Sequence, residues 1–301
     1  MKRFYIAILM FMLPIFVFMG GAEFVVRQIP NEYKYKNDWM ELHAEEIETL
    51  IIGNSHTEVG IIPALMGNNV FNLSIAGQDY LYTHFLFFKW ANRLNNLKTL
   101  ILPVSYFSFY EDIKGDDSKI MQELSYRIYM DSPYRKYNIA YNLESLYCKP
   151  LLSKLEKYAN GKTVNWSSEG WVPWLKADKS PVWNANHVNK SLARIYFAHS
   201  DRNVPDNYEL MANMIDYCNH HRIRVILVST PQTKEYNDCL SKRQIRSTQF
   251  LVQKLQQRYC FRYFDYREDV RFVDDDFYDQ SHLSEIGALK FTKLLVNDIR
   301  I

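Results

Sequence analysis

The segment Thr49-Leu50-Ile51-Ile52-Gly53-Asn54-Ser55-His56 constrains the fold of this chain more than any other. A short β-branched, apolar run ends abruptly in a Gly-Asn-Ser-His turn. Such a run, lacking the polar alternation of a half-exposed strand, reads as a buried parallel strand. Open α/β sheets place their ligands outside the C-terminal ends of such strands. A serine in that turn projects its hydroxyl into the crevice, with backbone N–H groups of the following helix start aimed at the same point. Gly-Asn-Ser is also ordinary turn chemistry, so the segment takes its meaning from the rest of the chain.

Four more strand-like runs follow, separated by helical patterns. Val70-Phe71-Asn72-Leu73-Ser74 ends in Ile75-Ala76-Gly77-Gln78, and a helix starting near Asp79 carries Leu81, Phe85, Phe88 and Ala91 at helical spacing. Lys98-Thr99-Leu100-Ile101-Leu102-Pro103-Val104 is the third strand. The alternation resumes with a helix over 208–221 and a fourth strand from Arg224 that is ended by Pro231. A helix over 241–258, the short strand Arg262-Tyr263-Phe264-Asp265-Tyr266 and a last helix over 283–298 complete the pattern. Five strands with helices between them indicate a flavodoxin-like three-layer α/β/α fold with a five-stranded parallel sheet.

Residues 106–205 interrupt this order. The stretch is rich in Tyr and Trp, including Trp166, Trp171, Trp174 and Trp183, and shows no repeat. It reads as a large insertion near the mouth of the site rather than a separate domain. Its tryptophans are either a lid or substrate platform or the insertion's own small core.

The N-terminus sets the compartment. Met1-Lys2-Arg3 precedes an apolar run over residues 4–19, close to the ~20 residues needed to cross a bilayer when counted on to Ala22. Residues 1–22 are therefore a membrane anchor or signal segment, and 23–47 a polar juxtamembrane spacer leading into the domain at 48–301. The expected location is the cell membrane, single-pass, with the domain on the extracytoplasmic side. Gly20-Gly21-Ala22 keeps secretion after cleavage open as the alternative. Formal net charge is only +2, which argues against nucleic acid as a partner. Cys148, Cys218, Cys239 and Cys260 show no metal-ligand spacing, so no metal site is expected, although an oxidising compartment permits one or two disulfides. No feature calls for a cofactor.

The chemistry-bearing constellation closes near the C-terminus, in Phe277-Tyr278-Asp279-Gln280-Ser281-His282-Leu283-Ser284-Glu285-Ile286-Gly287. An Asp three residues before a His lets the carboxylate accept from the imidazole Nδ1–H, leaving Nε2 free as a base toward a serine. A serine hydroxyl is a poor nucleophile at neutral pH and needs such a base. Ser55 and His282 both follow strands of one parallel sheet, so they can meet. Asp275 and Asp276 are rival carboxylates. His56 is expected to point away from the nucleophile and to be structural. His220 and His221 read as a solvated turn, while Glu58, His84, His187 and His199 have no partner that sequence identifies.

Gly53-Asn54-Ser55-His56, Asn72-Leu73-Ser74-Ile75-Ala76-Gly77 and Asp279-Gln280-Ser281-His282-Leu283-Ser284 with Gly287 resemble, in order and spacing, the SGNH/GDSL hydrolase superfamily. The resemblance covers roughly residues 48–105 and 206–300. With its N-terminal anchor the chain looks most like the membrane-anchored, extracytoplasmic acyl-transfer branch, which includes accessory proteins of alginate acetylation and teichoic-acid D-alanylation. It implies Ser55 as nucleophile, His282 as base, Asp279 as its orienting partner, and backbone N–H groups of Ser55 and Gly77 in the oxyanion hole. The implied substrate is an acylated glycan or small ester, and the implied partner an integral-membrane acyltransferase. One departure stands out. The family's third block supplies a side-chain amide after the third strand, where this chain has Pro103-Val104-Ser105-Tyr106 and no Asn. Ser105 or Tyr106 substitutes, or the hole has one donor fewer. A catalytically idle scaffold that binds a glycan or organises a complex is the reading from a different class.

Overall fold

Five strands form, β1 (Thr49–Ile51), β2 (Val70–Asn72), β3 (Thr99–Pro103) and β4 (Arg224–Ser229) on apolar runs that contain β-branched residues, and β5 (Arg262–Asp265) on the aromatic pair Tyr263-Phe264 between two charged residues. The computed structural model describes residues 2–111, 113, 119–161, 166–173, 175–176 and 205–299. All strand pairs are parallel, in the order β2-β1-β3-β4-β5. With helices on both faces of the sheet, this is the expected flavodoxin-like α/β architecture. The order reverses beside β1, whose neighbours are β2 and β3, and this switch point is where the Gly-Asn-Ser-His turn leaves the sheet.

The chain divides into two units, residues 39–113 with 165–301 and residues 1–38 with 114–164. The first unit contains the sheet. Its central strands β1, β3 and β4 are buried on both faces, whereas the edge strand β5 is partly exposed: Leu50, Ile51, Leu100, Ile101, Leu102, Ile226, Leu227 and Val228 are all inaccessible to solvent. Each such aliphatic side chain contributes about 1.5–3 kcal/mol of transfer free energy. Ile51, Ile101, Ile226 and Val228 share one cluster with Leu283, Phe291, Leu295 and Ile299, so the helix over Glu285–Ile299 seals one face of the sheet.

In the other unit, α1 (Lys2–Gln28) is long and apolar enough to cross a membrane, with mean hydropathy 2.2 over its best window. It continues unbroken through Gly20-Gly21-Ala22. Near its end the Glu23 carboxylate accepts from Glu144 N at 3.1 Å and Ser145 N at 2.8 Å, and the Arg27 guanidinium donates to the Asn142 carbonyl at 2.7 Å. Residues 23–47, expected as a spacer, are mostly helical: α1 runs on to Gln28 and α2 spans Glu32–His43. The segment's low hydrophobicity hides this, because its packing rests on few large side chains. Trp39 stacks on Phe71 at 3.9 Å between ring centroids, and Tyr33 meets Tyr126 edge-on at 5.1 Å.

The insertion is divided between the units. Residues 120–129 and 148–159 are helices of the smaller one. Residues 166–173 pack against the sheet unit instead: Glu169 O accepts from Asn72 N at 2.9 Å and Trp171 Nε1 donates to Val59 O at 2.9 Å. Trp171 is thus a packing residue, while Trp174 and Trp183 lie outside the described residues.

Asn72 ties β2 to the segment after β1. Its fully buried amide donates to Thr57 O at 2.9 Å and Ile61 O at 3.2 Å, and its Oδ1 accepts from Ser74 N at 3.1 Å. Asn72→Ala would leave these buried groups unpaired, and should cost about 1–3 kcal/mol of stability. Urea unfolding of the variant beside wild type measures this directly, and an unchanged midpoint would contradict the assignment.

Candidate active site

Ser55 is the first residue of a short helix, α3 (Ser55–Gly60), and this position is enforced from three sides. Asn54 caps the helix, its Oδ1 accepting from His56 N at 3.1 Å. Gly53 lies so close to the Pro103 ring that a Cβ there would collide with it. The Gly53 carbonyl accepts from Ile75 N at 2.9 Å, which draws the loop after β2 up to the turn that carries Ser55. Gly77 in that loop has φ of 69°, a left-handed conformation that glycine adopts without strain. As the first helical residue, Ser55 has a backbone N–H with no acceptor inside its own helix.

The other half of the site arrives from beyond β5. Ser284 N donates to Asp276 O at 2.9 Å, and Tyr278 N to His282 O at 2.9 Å, closing the loop that carries Asp279 and His282. The helix that follows packs on α3, where Thr292 Oγ1 accepts from Ile62 N at 3.0 Å. That contact spans 230 positions of sequence and brings the loop over Ser55.

Ser55 Oγ lies 2.8 Å from His282 Nε2. His282 Nδ1 lies 2.9 Å and 3.0 Å from the two carboxylate oxygens of Asp279. Asp279 Oδ1 also accepts from Ser281 N and His282 N, both at 2.9 Å. Burial raises the Asp279 carboxyl, but the charge and ring N–H of His282 and these two backbone donors outweigh it and hold it down to about 2. With the carboxylate ionised, the ring proton sits on Nδ1 and the Nε2 lone pair faces the serine hydroxyl. Asp276, a rival in sequence, is occupied elsewhere: its Oδ2 accepts from Val273 N at 2.9 Å and Lys290 Nζ at 2.6 Å.

His56 departs from expectation. Its ring is buried and turned toward the site, 5.3 Å between centroids from His282 and edge-on to it. The apolar surroundings of residue 56 in the fold, with Phe107 5.5 Å away, are contributed by distant segments, and no local signal in sequence reports them. Neither hydroxyl offered in place of the third-block amide is free for that role. Ser105 Oγ is shared between Asn54 Nδ2 at 3.0 Å and His56 Nδ1 at 2.9 Å, and Tyr106 OH accepts from Ser241 N at 3.1 Å.

The remaining candidates lie away from this cluster. His84 packs on the Phe88 ring, His221 stacks on Tyr217, and His220 is exposed. Glu58 is buried within α3, whereas His187 and His199 fall outside the described residues. Cys218, Cys239 and Cys260 are free thiols.

No protein-family model and no curated protein matches the sequence. Several solved structures are similar to the chain. A provisionally assigned acylhydrolase from Bacteroides fragilis shares 12% identity over 83% of this chain and 85% of its own, with a TM-score of 0.40. The lipase/acylhydrolase from Enterococcus faecalis shares 11% over 84% and 96%, also at 0.40. A Streptococcus pneumonia protein provisionally described as a platelet activating factor shares 14% over 97% and 99%, again at 0.40.

The depressed Asp279 carboxyl has a thermodynamic consequence. A group whose pKa falls from 3.8 to about 2 on folding stabilises the native state above 3.8, and that stability is lost as the pH drops toward 2. The difference in unfolding free energy between wild type and Asp279→Asn should therefore be full near neutrality and shrink below pH 3.8. A pH-independent difference would contradict the assignment.

Proposed function

We propose that this chain is an SGNH-type serine enzyme that transfers or hydrolyses acyl groups through an acyl-Ser55 intermediate. The observation that carries the reading is the Ser55–His282–Asp279 relay, with 2.8 Å from Oγ to Nε2 and 2.9 Å from Nδ1 to the carboxylate. Three motif blocks in family order point the same way. His282 Nε2 takes the Ser55 proton as Oγ bonds to the ester carbonyl carbon, then returns it to the departing alkoxide as the tetrahedral intermediate collapses. Asp279 keeps the ring in the tautomer this requires and stabilises the imidazolium formed on the way. The N–H groups of Ser55 and Gly77 receive the oxyanion, each such donor worth about 3–4 kcal/mol. A second turn of the cycle delivers the acyl group to water or to a sugar hydroxyl.

The substrate in this reading is an O-acylated cell-envelope or exported glycan, handled on the outer side of the membrane. Its support is the apolar α1, which continues through the small residues at 20–22 and is tied at its end to residues 142–145. An integral-membrane acyl donor would be the natural partner of such an anchored transferase. A non-catalytic scaffold remains the second reading, favoured by the lack of any side-chain amide at 103–106.

Full-length protein in detergent, treated with a fluorophosphonate probe, separates the two. Labelling should be stoichiometric in wild type, absent in Ser55→Ala and at least about 10³-fold slower in His282→Ala. A folded wild type that takes no label would favour the scaffold.

A further inference from the structure

One buried imidazole beside the nucleophile has no part in the relay. His56 follows Ser55 directly, is 4% exposed, and sits edge-on to the His282 ring. Two neighbours, Asn54 and Ser105, fix its tautomer. Asn54 Nδ2, which can only donate, points to Ser105 Oγ at 3.0 Å. Ser105 Oγ has one other partner among the described residues, His56 Nδ1 at 2.9 Å. Its buried hydroxyl hydrogen therefore goes to Nδ1, because no other acceptor among the described residues is within reach. An imidazole that accepts at Nδ1 carries its hydrogen on Nε2. Burial and the neighbouring His282 push the His56 ring down to about 3, against a smaller opposing pull from Asp279, so it stays neutral. Among the described residues, Nε2–H has no acceptor.

This arrangement excludes a second base, since the Nδ1 lone pair is used and Nε2 already holds its hydrogen. It suits a donor. A neutral imidazole N–H, held in one tautomer next to the reacting atoms, can stabilise charge that develops on a carbonyl oxygen without itself losing a proton.

We propose that His56 Nε2–H is the side-chain donor of the oxyanion hole, oriented by the Asn54–Ser105 relay. The inference rests on the reading of Ser55 as nucleophile. As Ser55 Oγ bonds to the carbonyl carbon, its proton passes to His282 Nε2 and the carbonyl π pair moves onto oxygen. His56 donates to that oxygen together with the Ser55 and Gly77 backbone. On collapse the pair returns, the bond to the leaving alkoxide breaks, and His282 protonates the alkoxide. Ser105 then takes the place of an amide by controlling a neighbour, rather than by touching substrate itself.

Two measurements on the full-length protein in detergent test this. In ¹⁵N-histidine NMR of wild type, His56 should be protonated at Nε2 and bare at Nδ1. Its Hε2 resonance should move downfield when a fluorophosphonate places a phosphoryl oxygen at Ser55. The opposite tautomer, or an Hε2 insensitive to the adduct, overturns the proposal, and neither depends on a variant folding. In p-nitrophenyl acetate hydrolysis, His56→Phe keeps a packed ring but no N–H, and should lower kcat about 10²–10³-fold with KM nearly unchanged. His56→Gln restores a donor and should recover at least about tenfold of that loss. A His56→Phe enzyme as fast as wild type, or as His56→Gln, points to packing alone and overturns the proposal. Ser55→Ala distinguishes the deeper failure: hydrolysis equal to wild type would remove the nucleophile reading, and this inference with it.

Discussion

The close approach of the Gly53 backbone to the Pro103 ring is the constraint on which the site depends. β1 and β3 are neighbours in register, and only a residue without a side chain lets the chain turn out of the sheet there. From that turn follow the Asn54 cap, the placement of Ser55 at a helix start, and the bond from Ile75 N to the Gly53 carbonyl that draws in the Gly77 loop. Asn72 then fixes the same two segments from below. Each contact is a modest hydrogen bond or packing term on its own. Together they seat the serine at the end of the buried strand β1, which is the kind of support a site requires if its atoms are to stay within about half an ångström.

The electrostatics are arranged by burial as much as by charge. Two imidazoles lie side by side in different surroundings. His282 is backed by a carboxylate that stays ionised well into acid, and its Nδ1 lies 2.9 Å from that carboxylate. His56 is backed by a neutral hydroxyl in a desolvated position, so it stays neutral. Different environments around two like groups are a usual means by which a site gives them separate roles, and the roles proposed for these two rest on that difference.

Much of this was legible in the sequence, and the reasons are physical. Short apolar runs rich in β-branched or aromatic residues announce strands, and all five appear, each within a few residues of its expected bounds. The Asp279–His282 spacing is local, so its geometry follows from a single turn. What sequence concealed depends on long-range packing. Residues 23–47 look like a polar spacer but form helices, because a few aromatic contacts hold them rather than a continuous apolar face. His56 reads as a structural residue pointing away from Ser55, because nothing near it in sequence shows that its ring lies between Phe107, Ser105 and His282. The insertion's division between two units is likewise invisible until Glu169 and Trp171 find their partners on the sheet unit.

In the proposed cycle an acyl group passes through Ser55. The most direct measurement is rapid acid quench of full-length protein with p-nitrophenyl acetate, followed by mass spectrometry of the peptide containing residue 55. Acetyl-Ser55 forming within the first turnover, and failing to form in His282→Ala, is the expected result. Steady turnover with no acetyl group on Ser55, or equal acetylation in the His282 variant, would contradict the account.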